Sequence, residues 1–225
     1  MPTSRSYGDA CAIARALDVV GERWALLVVR ELLLGPQRFS DLRHALPGAS
    51  SNLVADRLRE LEGRGVIGRR KLPAPASSRV YELTEWGRGL EPILLALGEW
   101  GMHVPLPPAP ATLSATSVVL FLRSAGRPDP GAPPATCRLE LDDRVWAIRA
   151  EAGRLHVQPG EPASPDASLR ADPATLNALL EASREFDAAV SDGSVVAAGD
   201  LSALRRLVAA VTAPARRCPW PARAG

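Results

Sequence analysis

The sequence lacks any long uninterrupted apolar run, and none of its apolar stretches approaches the roughly 18–20 residues that a helix needs to cross a bilayer. The segment that follows Met1 is short and polar, without the basic start and apolar stretch of a secretion signal. We therefore expect no membrane partner and a cytoplasmic location. Since 46% of the 225 residues are apolar, the chain can bury more than one small core, and two domains are expected.

Cysteine is scarce as well. Cys11, Cys137 and Cys218 are far apart and odd in number, so they form neither a zinc-ligand cluster nor a convincing disulfide framework. A reducing compartment fits this pattern best. The sequence therefore predicts no structural metal and no disulfide that would hold a small fold together.

Sequence signatures of enzymes are also missing. The chain contains no G-x-S-x-G, P-loop or G-x-G-x-x-G motif, and His44, His103 and His156 are scattered without carboxylate or cysteine partners at ligand spacing. The adjacent Asp142 and Asp143 indicate a turn rather than an acid–base pair. We predict a protein that is not an enzyme and has no catalytic residue, metal or cofactor.

A proline-rich stretch divides the chain. VPLPPAPAT has four prolines in nine residues, which predicts a stiff, extended linker. We expect a first domain at 1–103, a linker at 104–111, a second domain at 112–213 and a tail at 214–225.

The second domain has the alternating pattern of strands. CRLELDD, RVWAIRA and RLHVQ predict a three-stranded meander with a turn at 151–153, and the domain is expected to begin with it. Helices are predicted near 173–182 and 201–211, the first with Asp172 as N-cap before Pro173. The pattern predicts an α+β fold.

The first domain is mostly helical. One helix carries apolar residues along a single stripe, as a core helix does: Trp24, Leu27, Val28 and Leu32. RFSDLRHALPG then offers Ser40 as the N-cap of a short helix, and ASSNLVADRLRELEGRG offers Ser50 or Ser51 as the next N-cap. Two short helices joined by a tight Pro-Gly turn predict a helix-turn-helix whose second helix, the recognition helix, enters the major groove.

The recognition helix has an apolar face and a polar face. The apolar face comprises Leu53, Val54, Leu58 and Leu61. On the polar face Asn52 can pair with adenine, Arg59 with guanine, and Asp56 can accept from a cytosine amine. Arg57 lies between the faces, where it either contacts phosphate or bridges to a neighbouring carboxylate.

A hairpin of the kind called a wing follows. VIGRRKLPAPASSRVYELT reads as two strands around a Pro/Ala/Ser tip, and its basic residues can contact phosphates or a neighbouring minor groove. The predicted DNA contacts of helix and wing are Ser40, Ser50, Ser51, Asn52, Ala55, Asp56, Arg57, Arg59, Arg69, Arg70, Lys71 and Arg79. The expected partner is double-stranded DNA.

The last helix of the domain, EWGRGLEPILLALGEWGMH, begins after Thr84 and has more apolar residues than a small core can bury. These residues are Trp86, Leu90, Ile93, Leu94, Leu97 and Trp100. Such an excess predicts a homodimer interface. Two recognition helices about one DNA turn apart would then read a palindromic operator.

The first domain as a whole resembles a known protein family. The run CAIARALDVVGERWALLVVRELLLGPQRFSDLRHALPGASSNLVADRLRELEGRGVI, continued by SSRVYELTEWGRGLEPIL, resembles the HxlR family of bacterial winged-helix regulators over about residues 9–103. The resemblance implies a dimer formed by the first and last helices of the domain. Some members use a cysteine near Cys11 to sense oxidants or electrophiles. Here the helix dipole and Arg15 can lower the thiol's pKa, and the alternative is a small buried hydrophobe.

The second domain, at about 112–213, is similar to sterol-carrier-protein-like domains. The resemblance lies in the order of several segments along the chain. VVLFLRS comes first, followed by a strand pair that ends in Gly160 and a strand that begins Pro-Asp-Ala. A helix that starts Asp-Pro-Ala-Thr-Leu comes next, and GSVVAAGD precedes a last helix. The resemblance implies an apolar cavity for a hydrophobic effector. The expected lining is Phe121, Trp146, Leu155 and Phe186, each of which is alternatively ordinary core. The domain is alternatively a pocketless dimerisation or packing module.

The sequence therefore predicts an α+β protein with an N-terminal winged helix-turn-helix domain and a C-terminal sterol-carrier-like domain. We expect a dimeric, DNA-binding transcriptional regulator, a repressor, whose DNA affinity a small apolar ligand modulates. The alternative is a lipid-binding or carrier protein in which the winged domain is an interaction module.

Overall fold

The computed structural model describes residues 6–71, 78–102, 104–105 and 112–212, so His103, Cys218 and the wing tip lie outside the described residues. The chain divides into two compact units, and the boundary along the chain lies between Val104 and Pro105. Each unit is described separately. Both mix helices with a sheet, which confirms the predicted fold class.

The first unit has six helices and a two-stranded hairpin among its described residues. These elements are α1 (Ala12–Val20), α2 (Ala25–Leu32), α3 (Phe39–Ala45), α4 (Ser51–Gly63), β1 (Ile67–Lys71), β2 (Arg79–Leu83), α5 (Glu85–Arg88) and α6 (Glu91–Gly101). The hairpin strands are antiparallel, with Ile67 opposite Leu83 and Lys71 opposite Arg79. Gln37 pairs with Tyr81 through two backbone hydrogen bonds of 3.0 and 2.8 Å, so the segment before α3 extends the hairpin sheet.

The core of the first unit lies between α2, α3, α4 and the hairpin. Its largest fully buried side chains include Leu42, Leu46, Leu58, Leu61 and Ile67. Their burial follows from the apolar spacing of three and four residues on each helix. Packing of α2 and α3 against α4 fixes the orientation of the recognition helix.

The apolar stripe of α2 is only partly as predicted. Val28 and Leu32 are buried, but Leu27 is 37% exposed, so the prediction that Leu27 lies in the core was wrong. Glu31 is fully buried instead, and the guanidinium of Arg30 donates to its carboxylate at 2.6 and 2.9 Å. Because an ion pair and close packing admit a carboxylate to this position, hydropathy alone could not identify the buried face.

The start of α3 also differs from the expectation. The helix begins at Phe39, with Arg38 as N-cap, and the Asp41 carboxylate accepts from the Arg38 N–H at 3.0 Å. Ser40 therefore lies inside the first turn and is not the N-cap. An acidic residue three positions after the cap satisfies the cap N–H, which is one of the two bonds of a capping box.

The single helix predicted after Thr84 is in fact two. Thr84 caps α5 and accepts from the Gly87 N–H at 3.0 Å, as expected, but α5 ends at Arg88. A new helix, α6, begins at Glu91 with a proline in its first turn. Pro92 supplies no N–H and is tolerated only in a first turn, which explains the break.

The second unit contains a five-stranded sheet and four helices among its described residues. These are α7 (Ala115–Ala125), β3 (Ala135–Leu141), β4 (Arg144–Glu151), β5 (Arg154–Pro159), β6 (Ala167–Ala171), α8 (Pro173–Leu180), α9 (Phe186–Ser191), β7 (Val195–Gly199) and α10 (Leu201–Thr212). The strand order is β5-β4-β3-β6-β7, in which β3 and β6 are parallel and the other neighbours antiparallel. The predicted meander is β3, β4 and β5.

The second unit does not begin with the meander, however. VVLFLRS forms most of α7, which precedes the first strand and was not predicted as a helix. Ser114 caps α7 and accepts from the Ser117 N–H at 3.1 Å, while Val118, Val119 and Leu122 are buried at helical spacing. An apolar run of this length fits a helix or a strand equally well, so its pattern did not decide the element.

Candidate nucleic-acid interface

The turn between α3 and α4 is held by hydrogen bonds from both sides. The Ser50 hydroxyl accepts from the Leu53 N–H at 3.2 Å, which confirms Ser50 as the N-cap of α4. Arg43 on α3 donates to the Ala49 carbonyl at 2.8 Å and to the Ser51 hydroxyl at 3.0 Å. Sequence reasoning missed Arg43, because its partners lie on the far side of the turn. These bonds fix the start of α4 relative to α3.

The polar face of α4 is accessible, as expected for a recognition helix. Ser51, Asn52 and Arg59 are exposed, and Ala55 and Asp56 are partly exposed. The opposite face is buried, with Val54, Leu58 and Leu61 in the core and Leu53 packed against it. The structure therefore brings the predicted base-reading residues together on one surface.

Two of these residues are already paired with each other. The Arg59 guanidinium forms an ion pair with the Asp56 carboxylate one helical turn away. Both side chains remain largely exposed, so the pair contributes little to stability. It does orient Arg59 along the helix, and it gives Asp56 a role that involves no base.

Arg57 is placed differently from its neighbours. It is 9% exposed and forms ion pairs with Glu60 and, at 3.8 Å, with Glu22. Of the two alternatives for Arg57, this geometry supports the carboxylate bridge, and the buried guanidinium is not available to phosphate. Ser40, also expected to contact DNA, is exposed and donates to Asp41 at 3.1 Å.

The basic residues of the wing fall into two groups. Arg69 donates to Glu62 at 3.0 Å and Arg70 donates to Glu82 at 3.1 and 3.2 Å, and these bonds raise the pKa of both guanidinium groups. Lys71 and Arg79, which face each other across the strands, are exposed and have no ion pair with any described residue. Half of the positive charge predicted for the wing is therefore neutralised within the chain.

The helices at the two ends of the first unit leave apolar surface uncovered. On α5 and α6, Trp86 is 62%, Ile93 57%, Leu97 46% and Trp100 52% exposed, and α6 has no buried residue. Ile13 and Leu17 on α1 are exposed as well. Leu90 and Leu94, also predicted for the dimer interface, are partly buried and pack against the core of their own unit.

Cys11 is the N-cap of α1 and is exposed, so its alternative reading as a buried hydrophobe was wrong. The N–H groups of Ala14 and Ile13 lie near the sulfur and lower the pKa of the thiol, although neither makes a full capping hydrogen bond. The lowering comes from this first helical turn rather than from Arg15. A thiol of this kind has increased thiolate character near neutral pH.

The residues expected to line a pocket in the second unit lie in its core instead. Trp146 is fully buried, Leu155 and Phe186 are nearly so, and Phe121 is partly buried. The described part of this unit does have a cleft of about 340 Å³, but none of the four lines it. Large apolar residues fill space, whereas this cleft forms where the facing side chains are mostly small.

The described residues contain no group of three or more histidine, cysteine, aspartate or glutamate side chains placed to hold a metal ion. None of their helices combines the length and the apolar character that a membrane span requires.

The capped α3–turn–α4 pair, the exposed polar face of α4 and the adjoining hairpin define a winged helix-turn-helix DNA-binding protein. The chain matches the family model described as HxlR-like helix-turn-helix over residues 19–106 and that of the SCP-2 sterol transfer family over residues 134–212.

Two curated relatives support the first match. A protein of Bacillus subtilis (strain 168), the uncharacterized HTH-type transcriptional regulator YvaP, is 41% identical over 86 residues, which are 38% of this chain and 80% of YvaP. The regulator sll1512 of Synechocystis sp. is 38% identical over 94 residues, 42% of this chain and 70% of that protein. Among solved structures, the redox regulator HypR in its oxidized form has 33% identity and a TM-score of 0.41, covering 43% of this chain and all of HypR.

The chain therefore belongs to the HxlR-like helix-turn-helix family. The relatives that it matches are named transcriptional regulators, not enzymes, and the family implies DNA binding by the first unit.

Proposed function

We propose that this protein is a transcriptional repressor that binds a palindromic operator as a homodimer. The single observation that carries the proposal is the polar face of α4, where Asn52 and Arg59 are exposed beside a wing with two unpaired cations, Lys71 and Arg79, among the described residues. An asparagine and an arginine on such a helix have the geometry to read adenine and guanine in the major groove. Exposed cations on the wing suit the flanking phosphates.

The apolar surface of the first unit supports the homodimer. Trp86, Ile93, Leu97 and Trp100 expose large side chains on the consecutive helices α5 and α6, and a monomer rarely leaves so many uncovered. A second copy of the same surface is the simplest partner, since a two-fold interface is self-complementary. The resulting dimer would present two copies of α4 to successive major grooves.

Repression would end when an effector binds. We propose two inputs, a small apolar molecule held by the second unit and oxidation or electrophilic attack at Cys11. Each would act by favouring a conformation with lower operator affinity. The exposure and lowered pKa of Cys11 support the second input.

A second candidate function is a carrier of hydrophobic small molecules in which the first unit binds a protein partner. The match of residues 134–212 to the SCP-2 sterol transfer family favours it. The two candidates differ in DNA binding, because a carrier needs only the weak, salt-sensitive attraction that any basic surface has.

The deciding experiment is binding of the full chain to fragments of its own promoter and to a selected random-sequence pool, by fluorescence anisotropy at physiological salt with scrambled competitor. We expect a specific two-site complex that Asn52→Ala and Arg59→Ala each weaken by about tenfold to a hundredfold. Arg154→Ala, which removes an exposed cation from the second unit, is the control and should change little. Binding no tighter than to scrambled DNA would reject the repressor and favour the carrier.

A further inference from the structure

The cleft of the second unit exists because small side chains meet there. Its wall on the sheet is formed by β3 and β4, its other wall by α10, and one end by residues 127–133. The side chains on the two walls are mostly small: Ala135, Cys137 and Ala150 on the sheet, and Ala203, Leu207 and Ala210 on α10. Larger residues occupy other positions of the same strand faces, such as Ile148 on β4. The volume of about 340 Å³ is within the usual range for a small-molecule site.

Apart from four charged residues, the lining of the cleft is apolar. Burial, with a smaller effect of Asp166, raises the pKa of the Cys137 thiol to about 11, so this group is protonated at neutral pH. A neutral thiol among alanines behaves as a small hydrophobe. The cleft therefore favours an apolar ligand body, and no charged ligand group can be satisfied deep inside it.

Charged groups lie at the edge of the cleft, and most are engaged elsewhere. Arg127 donates to the Gly126 carbonyl at 2.6 Å, and its N–H donates to Ala210 at 2.9 Å, so it anchors this end of the cleft to α10. Asp129 accepts from the Gly131 N–H at 2.9 Å, and Glu151 accepts from Arg149 at 2.9 Å.

Arg206 is the exception among these charged groups. It donates to the Ser202 hydroxyl at 2.9 Å and has a long ion pair of 3.8 Å with Asp200, both on its own helix or cap. A guanidinium has five N–H donors in a planar fork, so Arg206 keeps donors for a further acceptor while it lines the cleft. Its positive charge offsets part of the rise in the pKa of Cys137, which comes mainly from burial.

We propose that the cleft binds a small carboxylic acid with an apolar body, whose carboxylate pairs with Arg206 at the edge while the body lies against Ala135, Cys137 and Ala150. The planar guanidinium accepts a carboxylate in a bidentate geometry, which an alcohol or a sterol hydroxyl cannot reproduce. A dry cavity of about 150 Å³ holds one benzene ring, so 340 Å³ corresponds to about two fused rings or a chain of similar bulk. A four-ring sterol exceeds this size.

This inference rests on the proposed effector role of the second unit, but its test requires no DNA. Isothermal titration of the full chain with 2-naphthoate and octanoate should give saturable binding, and 2-naphthamide, the neutral counterpart, should bind at least tenfold more weakly. Arg206→Gln should reduce naphthoate affinity by about tenfold or more and leave the amide unchanged. Arg205→Gln is the matched control, because Arg205 is the next residue on α10 and pairs with Asp187 instead.

A second pair of variants tests the location. Ala150→Leu places a larger side chain in the cleft and should abolish binding, whereas Ala147→Leu changes the same strand at a residue that does not line the cleft and should not. The proposal is overturned if neither acid binds, if acid and amide bind equally, or if Ala150→Leu binds as tightly as the unchanged chain. Operator binding measured without any acid separates these results from failure of the repressor.

Discussion

A β-carbon added to Gly87 would lie 2.0 Å from the carbonyl oxygen of Val66, so the first turn of α5 rests directly on the backbone that enters the wing. The same carbonyl accepts from the Thr84 N–H and hydroxyl, both at 3.1 Å. Contacts with the Val66 carbonyl thereby hold the start of α5 against the backbone that leads into the wing. Only glycine permits this approach.

Gly87→Ala should destabilise the first unit by about 1–3 kcal/mol, because backbone must move to accept the methyl group. Urea unfolding followed by circular dichroism measures the change. Gly98→Ala is the control: it lies in α6 with nothing within 4 Å of the new carbon, and it should be neutral or stabilise by about 0.5–1 kcal/mol. Equal effects of the two variants would contradict the proposed close contact.

The internal ion pairs of the wing should limit its attraction to phosphate. Glu82→Gln releases Arg70, and we expect tighter binding to random-sequence DNA and a salt dependence steeper by about one unit, since one more cation engages the backbone. Anisotropy titrations at several salt concentrations measure both. Glu85→Gln removes an equal charge from exposed α5 without releasing a paired arginine. If the two variants have the same slope, Arg70 does not reach DNA.

The exposed face of α6 should control assembly. Ile93→Glu and Trp100→Glu place charge on the uncovered apolar surface and are expected to convert the dimer to monomer, with operator affinity reduced about a hundredfold or more by loss of two-site binding. Light scattering after size-exclusion chromatography measures the mass. Val196→Glu, at an exposed apolar residue of the second unit, should leave the mass unchanged. A monomeric parent chain would reject this interface outright.

The lowered pKa of Cys11 should make its thiol react at lower pH than an ordinary cysteine. In a Cys218→Ser background, alkylation by iodoacetamide should have a midpoint below the usual value of about 8.5, since the thiolate is the nucleophile. Cys137 is buried with a raised pKa and reacts slowly. Cys11→Ser should prevent diamide, peroxide or quinones from releasing the protein from DNA. Unchanged release would remove Cys11 as a sensor.

Cys137 should make the fold less stable at alkaline pH. Its pKa is raised from an ordinary value near 9 to about 11, so unfolding releases a proton between these values. The contribution of the protonated Cys137 thiol to the stability of the fold is complete below pH 9 and is lost as the pH rises towards 11. Because the sulfur borders a cleft, we expect a loss of about 1–2 kcal/mol in the free energy of unfolding, less than the full rise in pKa would give. Urea unfolding at pH 8 to 10.5 should show a steeper decline for the parent than for Cys137→Ala, and parallel declines would contradict this.

The sequence predicted several local features that neighbours in the chain decide, although the N-cap of α3 and the break between α5 and α6 were missed. Ser50 and Asp172 cap the helices that follow, and each was identifiable as a polar residue before a helical pattern. The faces of α4 and the strands of the meander also follow from local periodicity. Thus the fold class and the exposed polar face of α4 were accessible before the structure.

What the sequence could not indicate depends on contacts between distant segments. Arg69 and Arg70 were counted as free cations, but their carboxylate partners are seven and twelve residues away and on other elements. Hydropathy placed Leu27 in the core of the first unit, but Leu27 is exposed and Glu31 is buried. The cleft arises from small side chains on strands and a helix separated by about sixty residues, which no local pattern reveals.

The pairing of Arg59, Arg69 and Arg70 with carboxylates of the same chain has a kinetic consequence. On random DNA these arginines gain little by exchanging one anion for another, so the protein should dissociate quickly from the many wrong positions of a genome. Only where base contacts add to the phosphate contacts is the exchange favourable. Short visits to incorrect sites would let a small number of molecules find an operator quickly.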